Sequence, residues 1–202
     1  MMYSKLKEKI EALSTISISM ERKAILRPLI EYIKLKKSSG ASIRLNFICT
    51  HNSRRSHLAQ VWAQTLAFHF HHKDIACYSG GTEGTAIYPA ILDTLSNQGF
   101  SILQLSEGTN PVIGIKYDEN EAPVIGFSKA YHHEYNPRSE YCAVMVCDDA
   151  DENCPVVFGA EARAAITYLD PKKFDHTDIK DQKYLEKSLE IAGEMYYVFS
   201  NV

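Results

Sequence analysis

Short apolar runs alternate with helical patterns along most of this 202-residue chain. The clearest apolar runs span residues 43–49, 75–79, 142–147 and 164–169, and helical spacing of apolar residues follows three of them. Because a strand that is followed by a helix returns to a sheet as a parallel neighbour, the alternation predicts a parallel sheet with helices on both faces. We therefore expect an α/β fold around a central four-stranded parallel sheet.

Two segments lie outside this alternation. Residues 1–40 predict two amphipathic helices, with apolar side chains at helical spacing in each. Residues 112–115 and 124–127 flank a turn-rich acidic segment, which predicts a β-hairpin inserted into the fold. The expected organisation is an N-terminal helical extension at residues 1–40 and an α/β domain at residues 41–202.

Charge and cysteine content limit the classes of function. The net charge of -3 gives no reason to expect a nucleic-acid partner or an anionic membrane. The first residues lack the apolar core of a signal peptide, and no stretch approaches the ~20 apolar residues of a membrane span. Five cysteines, an odd number, indicate reduced thiols rather than a disulfide framework. We therefore expect a cytoplasmic protein whose cysteines take part in chemistry.

A polar loop lies directly between the predicted strand at residues 43–49 and the helix that follows it. Its sequence is Cys49-Thr50-His51-Asn52-Ser53-Arg54-Arg55-Ser56. A loop at a helix N-terminus points several backbone N–H groups at one position, and the helix dipole adds positive charge there. The segment is therefore predicted to bind a tetrahedral oxyanion, and the predicted oxyanion-binding residues are Thr50, His51, Asn52, Ser53, Arg54, Arg55 and Ser56.

Within this loop, Cys49 and Arg55 are predicted to carry the chemistry. Arg55 can close the far side of the oxyanion with a planar bidentate fork, which a lysine could not reproduce. The same positive field favours the thiolate of Cys49, which is the nucleophilic form. We expect Ser56 to hydrogen-bond that thiolate and Asn52 to brace the loop. A bare Cys-x5-Arg spacing also fits a buried cysteine beside exposed arginines, but the surrounding strand, loop residues and helix favour the oxyanion site.

Two further cysteines flank an acidic segment after the predicted strand at residues 142–147. Cys147 and Cys154 lie seven positions apart. Thiol–disulfide exchange needs one thiol that reaches the nucleophile and another that resolves the disulfide formed, and a polar segment carrying both would supply them. Spacing alone is more typical of two cysteines that share a loop by accident. Cys77 and Cys142 fall inside apolar strands and are predicted to be buried packing residues.

The pattern Cys49-Thr50-x-Asn52-Ser53-x-Arg55-Ser56 resembles the phosphate loop of low-molecular-weight protein tyrosine phosphatases and of the thioredoxin-coupled arsenate reductases with the same fold. This form of the loop is nearer to the reductase branch. The phrase Tyr78-Ser79-Gly80-Gly81-Thr82-Glu83 and the segment from Cys147 to Pro155 resemble that branch as well. The resemblance covers about residues 43–175 and implies a low-molecular-weight phosphatase-like fold with the extension and hairpin added.

The resemblance also implies a reaction. In it, Cys49 attacks arsenate, Cys147 attacks Cys49 and releases arsenite, and Cys154 attacks Cys147. Thioredoxin, as an external reductant, then reduces the final disulfide, and no bound cofactor is implied. Asp170 of Asp170-Pro171 takes the place of the general acid in this family, although Asp-Pro by itself would indicate only a turn.

Three departures from the family pattern keep alternatives open. His51 replaces the glycine that is common in the reductase loop, and Lys172 replaces the aromatic residue that follows Asp-Pro in the phosphatases. Gln60 replaces a glutamate that often helps to hold a structural cation, so no metal site is predicted. The small-molecule ligand is expected to be arsenate, phosphate or a phosphoester. The first hypothesis is an arsenate reductase, the second a low-molecular-weight protein tyrosine phosphatase that forms a phosphocysteine, and the third a non-catalytic oxyanion-binding protein.

Overall fold

The structure, a computed structural model, describes residues 1–153 and 156–202. Its centre is a four-stranded parallel sheet in the order β2-β1-β6-β7, with strands numbered along the chain. These strands are β1 (Ile43–Cys49), β2 (Ile75–Gly81), β6 (Tyr141–Met145) and β7 (Ala160–Ala165). The central parallel sheet predicted from the sequence is therefore confirmed.

Six helices accompany the sheet in the described part of the chain. They are α1 (Ser4–Leu13), α2 (Met20–Ser38), α3 (Arg55–His69), α4 (Pro89–Gln98), α5 (Asp148–Asn153) and α6 (Lys180–Ser200). Helix α3 packs on β1 and β2 and against α6, and α2 packs on β7. Trp62 of α3 is fully buried and donates from its indole nitrogen to Ser188 Oγ of α6 over 2.8 Å. None of the helices within residues 1–153 and 156–202 is both long enough and apolar enough to cross a membrane.

The two N-terminal helices pack into the same hydrophobic core as the sheet. Leu6 and Ile10 of α1 and Leu26 and Ile33 of α2 are completely buried within it. Both predicted helices are present, and their apolar stripes face the core as helical spacing requires. A division of the chain at residue 40 stays a prediction.

A second, antiparallel sheet forms the inserted segment, in the order β3-β4-β5. Its strands are β3 (Ser101–Gln104), β4 (Ile113–Lys116) and β5 (Val124–Gly126), so the predicted hairpin is confirmed as β4 and β5. Strand β3 was not predicted, because it has four residues and two of them are exposed. After β5 the chain returns to the central sheet, where Gly81 N–H donates to the Lys129 carbonyl over 2.9 Å.

The last central strand lies earlier in the chain than predicted. The sequence predicted it at residues 164–169, but β7 spans Ala160–Ala165. The run Glu161-Ala-Arg163-Ala alternates charged and small residues and has no continuous apolar signal. Residues 166–169 leave the strand, although Ile166 and Tyr168 N–H groups still donate to the Met145 and Val146 carbonyls. This shift brings the segment before Asp170 alongside the end of β6.

The carboxyl ends of the parallel strands meet at one edge of the sheet, and this edge positions the predicted site. Cys49 is the last residue of β1 and is the register partner of Gly81, the last residue of β2. Cys147 follows the end of the neighbouring strand β6 by two residues. Helix α3 begins at Arg55, so the last two residues of the predicted loop Cys49 to Ser56 belong to the first turn of the helix.

Candidate functional site

The Cys49 sulfur lies at the carboxyl end of β1 and is almost completely buried. It is 3.1 Å from the Ser56 hydroxyl oxygen, which accepts a hydrogen bond from Asn52 Nδ2 over 2.9 Å. Because Asn52 supplies that hydrogen, the hydroxyl hydrogen of Ser56 is available to the Cys49 sulfur. The arrangement therefore gives a thiolate at Cys49 a hydrogen-bond donor.

Asn52 is the residue that holds the loop together. Its backbone has a φ of 45°, in the left-handed region that asparagine tolerates better than most side chains. Its Oδ1 accepts from Lys129 N–H over 2.9 Å, and its carbonyl accepts from His57 Nε2 over 2.9 Å. With the bond to Ser56, the Asn52 residue joins the loop, the first turn of α3 and the segment after β5.

His57 is a buried support of the loop that the sequence analysis did not single out. Burial, with a smaller contribution from the positive charge of Lys129, lowers the pKa of His57 to about 3. The neutral ring donates from Nε2 to the Asn52 carbonyl, and its Nδ1 lies 3.4 Å from Ser79 Oγ. The sequence offered one signal for this role: His57 is a polar residue in the first turn of the helix that follows the oxyanion loop.

Lys129 is a second support that sequence reasoning missed. Its backbone N–H donates to Asn52 and its carbonyl accepts from Gly81, so it ties the loop to β2. Its ammonium is buried, donates to the Phe127 carbonyl over 3.3 Å and lies 4.3 Å from the centroid of the Phe127 ring. Burial lowers the pKa of Lys129 to about 8. Nothing in the local sequence indicates that this lysine is buried.

Arg55 and Asp170 are brought together across the site from the loop. Arg55 Nη1 donates to the Tyr168 carbonyl over 2.9 Å, and Nη2 donates to Asp170 Oδ2 over 2.8 Å. Asp170 Oδ1 accepts from the Lys172 N–H and caps a short 3-10 turn at Pro171–Phe174. Arg55 Nε is buried and has no hydrogen-bond partner among the described residues, so it is a donor that an oxyanion can use.

Arg54 lines the site but directs most of its donors elsewhere. Its Nε donates to Tyr184 Oη over 2.7 Å and its Nη2 to Asp175 Oδ2 over 2.6 Å. The guanidinium carbon lies 4.2 Å from the centroid of the Tyr88 ring. These contacts anchor the start of α3 to α6 and to the segment before it. They leave Arg54 less available to an oxyanion than Arg55.

The remaining loop residues hold the chain that follows β2. Glu83 N–H donates to the Thr50 carbonyl over 3.0 Å, and Tyr88 N–H donates to the Ser53 carbonyl over 3.0 Å. His51 points outward, and its Nε2 lies 2.9 Å from Glu83 Oε1. The loop is therefore fixed by side chains on one side and by the segment after β2 on the other.

A small cavity opens above the Cys49 sulfur. The residues that line it are Cys49, His51, Ser53, Arg54, Arg55 and Asp170. Its volume is about 10 Å³, close to the space of one water molecule. A larger cavity of about 240 Å³ lies beside β2 and β5, but none of the six residues lines it. The small cavity is the candidate oxyanion site, because it alone of the two contains the thiol and the free Arg55 donor.

Cys147 lies beside the oxyanion loop. Its sulfur is buried and 3.5 Å from Thr50 Oγ1, on the residue next to Cys49. Burial raises the pKa of Cys147, while the Thr50 hydroxyl and the Arg55 charge act in the opposite direction. Cys154, the third predicted thiol, lies outside the described residues. Cys77 and Cys142 are buried as predicted.

Curated proteins with sequence similarity to this chain are arsenate reductases. Over 111 residues the chain is 28% identical to arsenate reductase 2 of Staphylococcus haemolyticus and 29% identical to arsenate reductase 2 of Staphylococcus epidermidis. Each alignment covers 55% of this chain and 65% of the relative, so the chain spans less than two thirds of the length of these relatives. No protein-family model matches the chain.

Solved structures of low-molecular-weight phosphatases share the fold. The Vibrio cholerae O395 phosphotyrosine phosphatase aligns with a TM-score of 0.51 and 12% identity, over 79% of this chain and 95% of that protein. The low-molecular-weight protein tyrosine phosphatase of T. tengcongensis aligns with a TM-score of 0.50 and 14% identity, over 80% of this chain and all of that protein. The chain therefore shares the fold of the low-molecular-weight protein tyrosine phosphatases and has sequence similarity to curated arsenate reductases.

Proposed function

We propose that this protein is an arsenate reductase with Cys49 as nucleophile and Cys147 and Cys154 as a disulfide relay. The observation that carries the proposal is the second thiol, since Cys147 Sγ lies 3.5 Å from the side chain of Thr50, the residue next to Cys49. Reduction of arsenate to arsenite requires two electrons, which two thiols supply when they form a disulfide. A phosphatase needs only the first thiol. The similarity to proteins named arsenate reductase supports the same reaction.

The first proposed step is attack of the Cys49 thiolate on arsenic. The Ser56 hydroxyl, 3.1 Å from the sulfur, stabilises the thiolate, and Arg55 Nε is free to hold an arsenate oxygen. A sulfur–arsenic bond forms, and a hydroxyl group of arsenate leaves as water after it takes a proton from Asp170, which has taken that proton from solvent. Asp170 is paired with Arg55 in the structure, and an oxyanion that takes the Arg55 donors would release it for this role.

The second proposed step transfers the electrons. Cys147 loses its proton and attacks the Cys49 sulfur, so that a disulfide forms and the electron pair of the sulfur–arsenic bond goes to arsenic. Arsenic is reduced from As(V) to As(III), and arsenite leaves. Burial raises the pKa of Cys147, and the Thr50 hydroxyl and the charge of Arg55 reduce the cost of its ionisation.

The third proposed step regenerates Cys49. Cys154 attacks Cys147, a Cys147–Cys154 disulfide forms and the Cys49 thiolate leaves. An external dithiol then reduces this disulfide, and we propose thioredoxin as that partner. No bound cofactor is required, because the thiols provide both electrons. A cycle that depends on free thiols fits a cytoplasmic location.

A second candidate function is phosphomonoester hydrolysis through a phosphocysteine at Cys49. The contact between Asp170 and Arg55 favours it, because it places a carboxyl group where a leaving oxygen would need a proton. This reaction requires Cys49 and Asp170 but neither Cys147 nor Cys154. Lys172, which follows Pro171 in the 3-10 turn, provides no aromatic wall for a phosphotyrosine ring.

One experiment separates the two functions. Arsenate-dependent NADPH oxidation with thioredoxin and thioredoxin reductase is measured beside hydrolysis of para-nitrophenyl phosphate on the same preparation. We expect Cys147→Ser and Cys154→Ser each to abolish arsenate turnover while leaving slow ester hydrolysis, and Cys49→Ser to abolish both. Cys77→Ser is the matched control, since this buried thiol is outside the cavity. Full reductase turnover in Cys147→Ser would rule out the relay.

A further inference from the structure

The direction of the Arg55 guanidinium depends on one short segment of the chain. Its Nη1 donates to the Tyr168 carbonyl over 2.9 Å, and its Nη2 donates to the Asp170 carboxylate over 2.8 Å. Residues 166–170 connect β7 to the 3-10 turn that begins at Pro171. Whatever holds this connection in place therefore also holds the Arg55 donors that face the oxyanion.

An ion pair between α2 and α6 holds this connection. Arg22 of α2 donates to the Glu194 carboxylate of α6 from Nε and, over 2.9 Å, from Nη2. Nη2 of Arg22 also donates to the Thr167 carbonyl over 3.0 Å. The buried Glu194 accepts from the Tyr168 hydroxyl over 2.7 Å, and the Arg22 guanidinium carbon lies 5.0 Å from the centroid of the Tyr168 ring. The ion pair thus contacts both the backbone before Tyr168 and the side chain of Tyr168.

These contacts fix most of the freedom of the Tyr168 backbone. The peptide plane between Thr167 and Tyr168 is held at both ends, because its carbonyl accepts from Arg22 and its N–H donates to the Val146 carbonyl over 3.2 Å. The bond to Glu194 fixes the side chain of the same residue. Burial, together with the charge of Glu194, raises the pKa of Tyr168 well above its ordinary value, so its hydroxyl keeps its proton and donates at neutral pH. The Tyr168 carbonyl is therefore presented to Arg55 in a fixed direction.

The chemistry of this support is typical of positioning rather than of packing alone. Taking two charges out of water is costly, and apolar side chains of similar volume often stabilise a fold equally well. A planar guanidinium offers instead several donors in fixed directions, here to a carboxylate and to a backbone carbonyl. The pair therefore contributes geometry that an apolar contact would not.

We propose that Arg22 and Glu194 are positioning residues, which act through Tyr168 to orient the Arg55 guanidinium for the oxyanion. Neither residue lines the cavity above the Cys49 sulfur. Helix α2 thereby takes part in anion binding from outside the site. The inference rests on the role of Arg55 in the proposed function, but it does not depend on which reaction follows the binding of the oxyanion.

The test measures alkylation of Cys49 by iodoacetate and by iodoacetamide, followed by mass spectrometry of the peptide that contains Cys49. Iodoacetate carries a carboxylate that Arg55 can bind, whereas iodoacetamide is neutral. The ratio of the two rates cancels the reactivity of the thiolate and reports how well the site holds an anion. Arg22→Lys keeps a positive charge beside Glu194 but loses the planar fork, and Tyr168→Phe removes the hydroxyl that Glu194 binds. We expect each variant to lower the ratio roughly threefold to tenfold, a range found for coupling between residues of one hydrogen-bond network.

A double-mutant cycle distinguishes positioning from a general effect on structure. Arg55→Lys should lower the ratio more than either variant, since it removes the fork itself. Adding Arg22→Lys to Arg55→Lys should then lower the ratio little further, because the guanidinium that Arg22 positions is gone. Arg27→Lys, the same substitution at an exposed arginine of the same helix, is the matched control and should keep the wild-type ratio.

Circular dichroism shows which variants are folded, and if Arg22→Lys is not, Tyr168→Phe decides alone. A wild-type ratio in the folded variants, beside a lowered ratio in Arg55→Lys, would overturn the inference. An equal fall on adding Arg22→Lys or Tyr168→Phe to the wild type and to Arg55→Lys would overturn it too, because the effect would then not pass through the guanidinium. An unchanged ratio in Arg55→Lys would instead contradict the role of Arg55 in the proposed function.

Discussion

At the scale of single residues, Asn52 decides the geometry around the Cys49 sulfur. Its amide directs the Ser56 hydroxyl, its Oδ1 holds the backbone of Lys129, and its carbonyl holds the ring of His57. The left-handed backbone at Asn52 allows these bonds to point in three directions. The Cys49 sulfur contacts the Ser56 hydroxyl that the Asn52 amide orients, so Ser56 is the residue to test.

Replacing Ser56 by alanine removes the hydroxyl donor 3.1 Å from the Cys49 sulfur. A hydrogen bond to a charged group contributes about 1.5–3 kcal/mol, so we expect kcat/KM to fall about tenfold to a hundredfold. Alkylation of Cys49 by iodoacetamide at a fixed pH should also become slower. Ser39→Ala, at an exposed serine remote from the cavity, is the control. Unchanged alkylation and unchanged kcat/KM in Ser56→Ala would show that the hydroxyl does not act on the thiolate.

The residues of the site that the sequence predicted are those that share one short loop or follow one strand. Cys49, Arg55 and Ser56 belong to a local pattern, and local patterns are visible in a sequence. His57 and Lys129 were missed, because their roles depend on burial among segments that lie far apart along the chain. The outward direction of His51 and its pairing with Glu83 likewise depend on the folded chain after β2.

At the scale of elements, the site depends on how closely the end of β2 approaches the loop that follows β1. Gly81 is the register partner of Cys49, and both of its backbone polar groups bond to the segment at residues 129–131. A side chain at Gly81 would place its Cβ 2.3 Å from the Glu83 carbonyl oxygen and 2.6 Å from the Thr50 carbonyl oxygen. Neither backbone atom can move without moving the oxyanion loop.

Gly81→Ala should therefore damage stability and activity together. We expect the free energy of unfolding to fall by about 1–3 kcal/mol, the usual cost of overpacking, with loss of most Cys49-dependent turnover. Gly193→Ala in helix α6 is the matched control, because its Cβ would meet the Ile16 side chain at 3.1 Å or more. Urea unfolding of both variants gives the comparison. Wild-type stability and turnover in Gly81→Ala would mean that the two strands can separate without harm to the site.

Elements with continuous apolar or helical patterns were predicted closely, and those without such patterns were not. Strand β1 was predicted at its observed bounds, because a parallel strand buried on both faces forms an apolar run. Strands β3 and β7 differ, since β3 is short and β7 carries Glu161 and Arg163 on exposed positions. Their strand conformation follows from pairing with β4 and β6, which is information held elsewhere in the chain.

At the scale of the whole molecule, the second N-terminal helix is linked to the site. Arg22 of α2 donates to the Glu194 carboxylate and to the Thr167 carbonyl. Glu194 accepts from the Tyr168 hydroxyl over 2.7 Å, and the Tyr168 carbonyl in turn accepts from Arg55. The sequence predicted the helices from their periodicity but not this support, because it joins residues that are more than a hundred positions apart.

The buried charge of Lys129 makes the stability of the whole molecule depend on pH. Its pKa is lowered to about 8 in the folded protein, below the ordinary value of 10.5, because burial disfavours the charged form. Between these two pH values the unfolded chain binds more protons at Lys129 than the folded chain does. Stability contributed by this residue therefore rises with pH from about 8 to 10.5 and is lowest at neutral pH, where the buried ammonium is charged in the folded state.

Lys129→Met should remove this dependence, because methionine fills similar space and has no charge to bury. We expect the free energy of unfolding of the wild type, relative to that of Lys129→Met, to increase by up to about 3 kcal/mol between pH 7 and pH 10.5. Urea unfolding at several pH values measures the difference, in which titrations common to both proteins cancel. Lys34→Met, at an exposed lysine of α2, should run parallel to the wild type. A constant difference between Lys129→Met and the wild type across this range would show that the Lys129 ammonium keeps its proton when buried, and that neighbouring dipoles and the Phe127 ring replace its hydration.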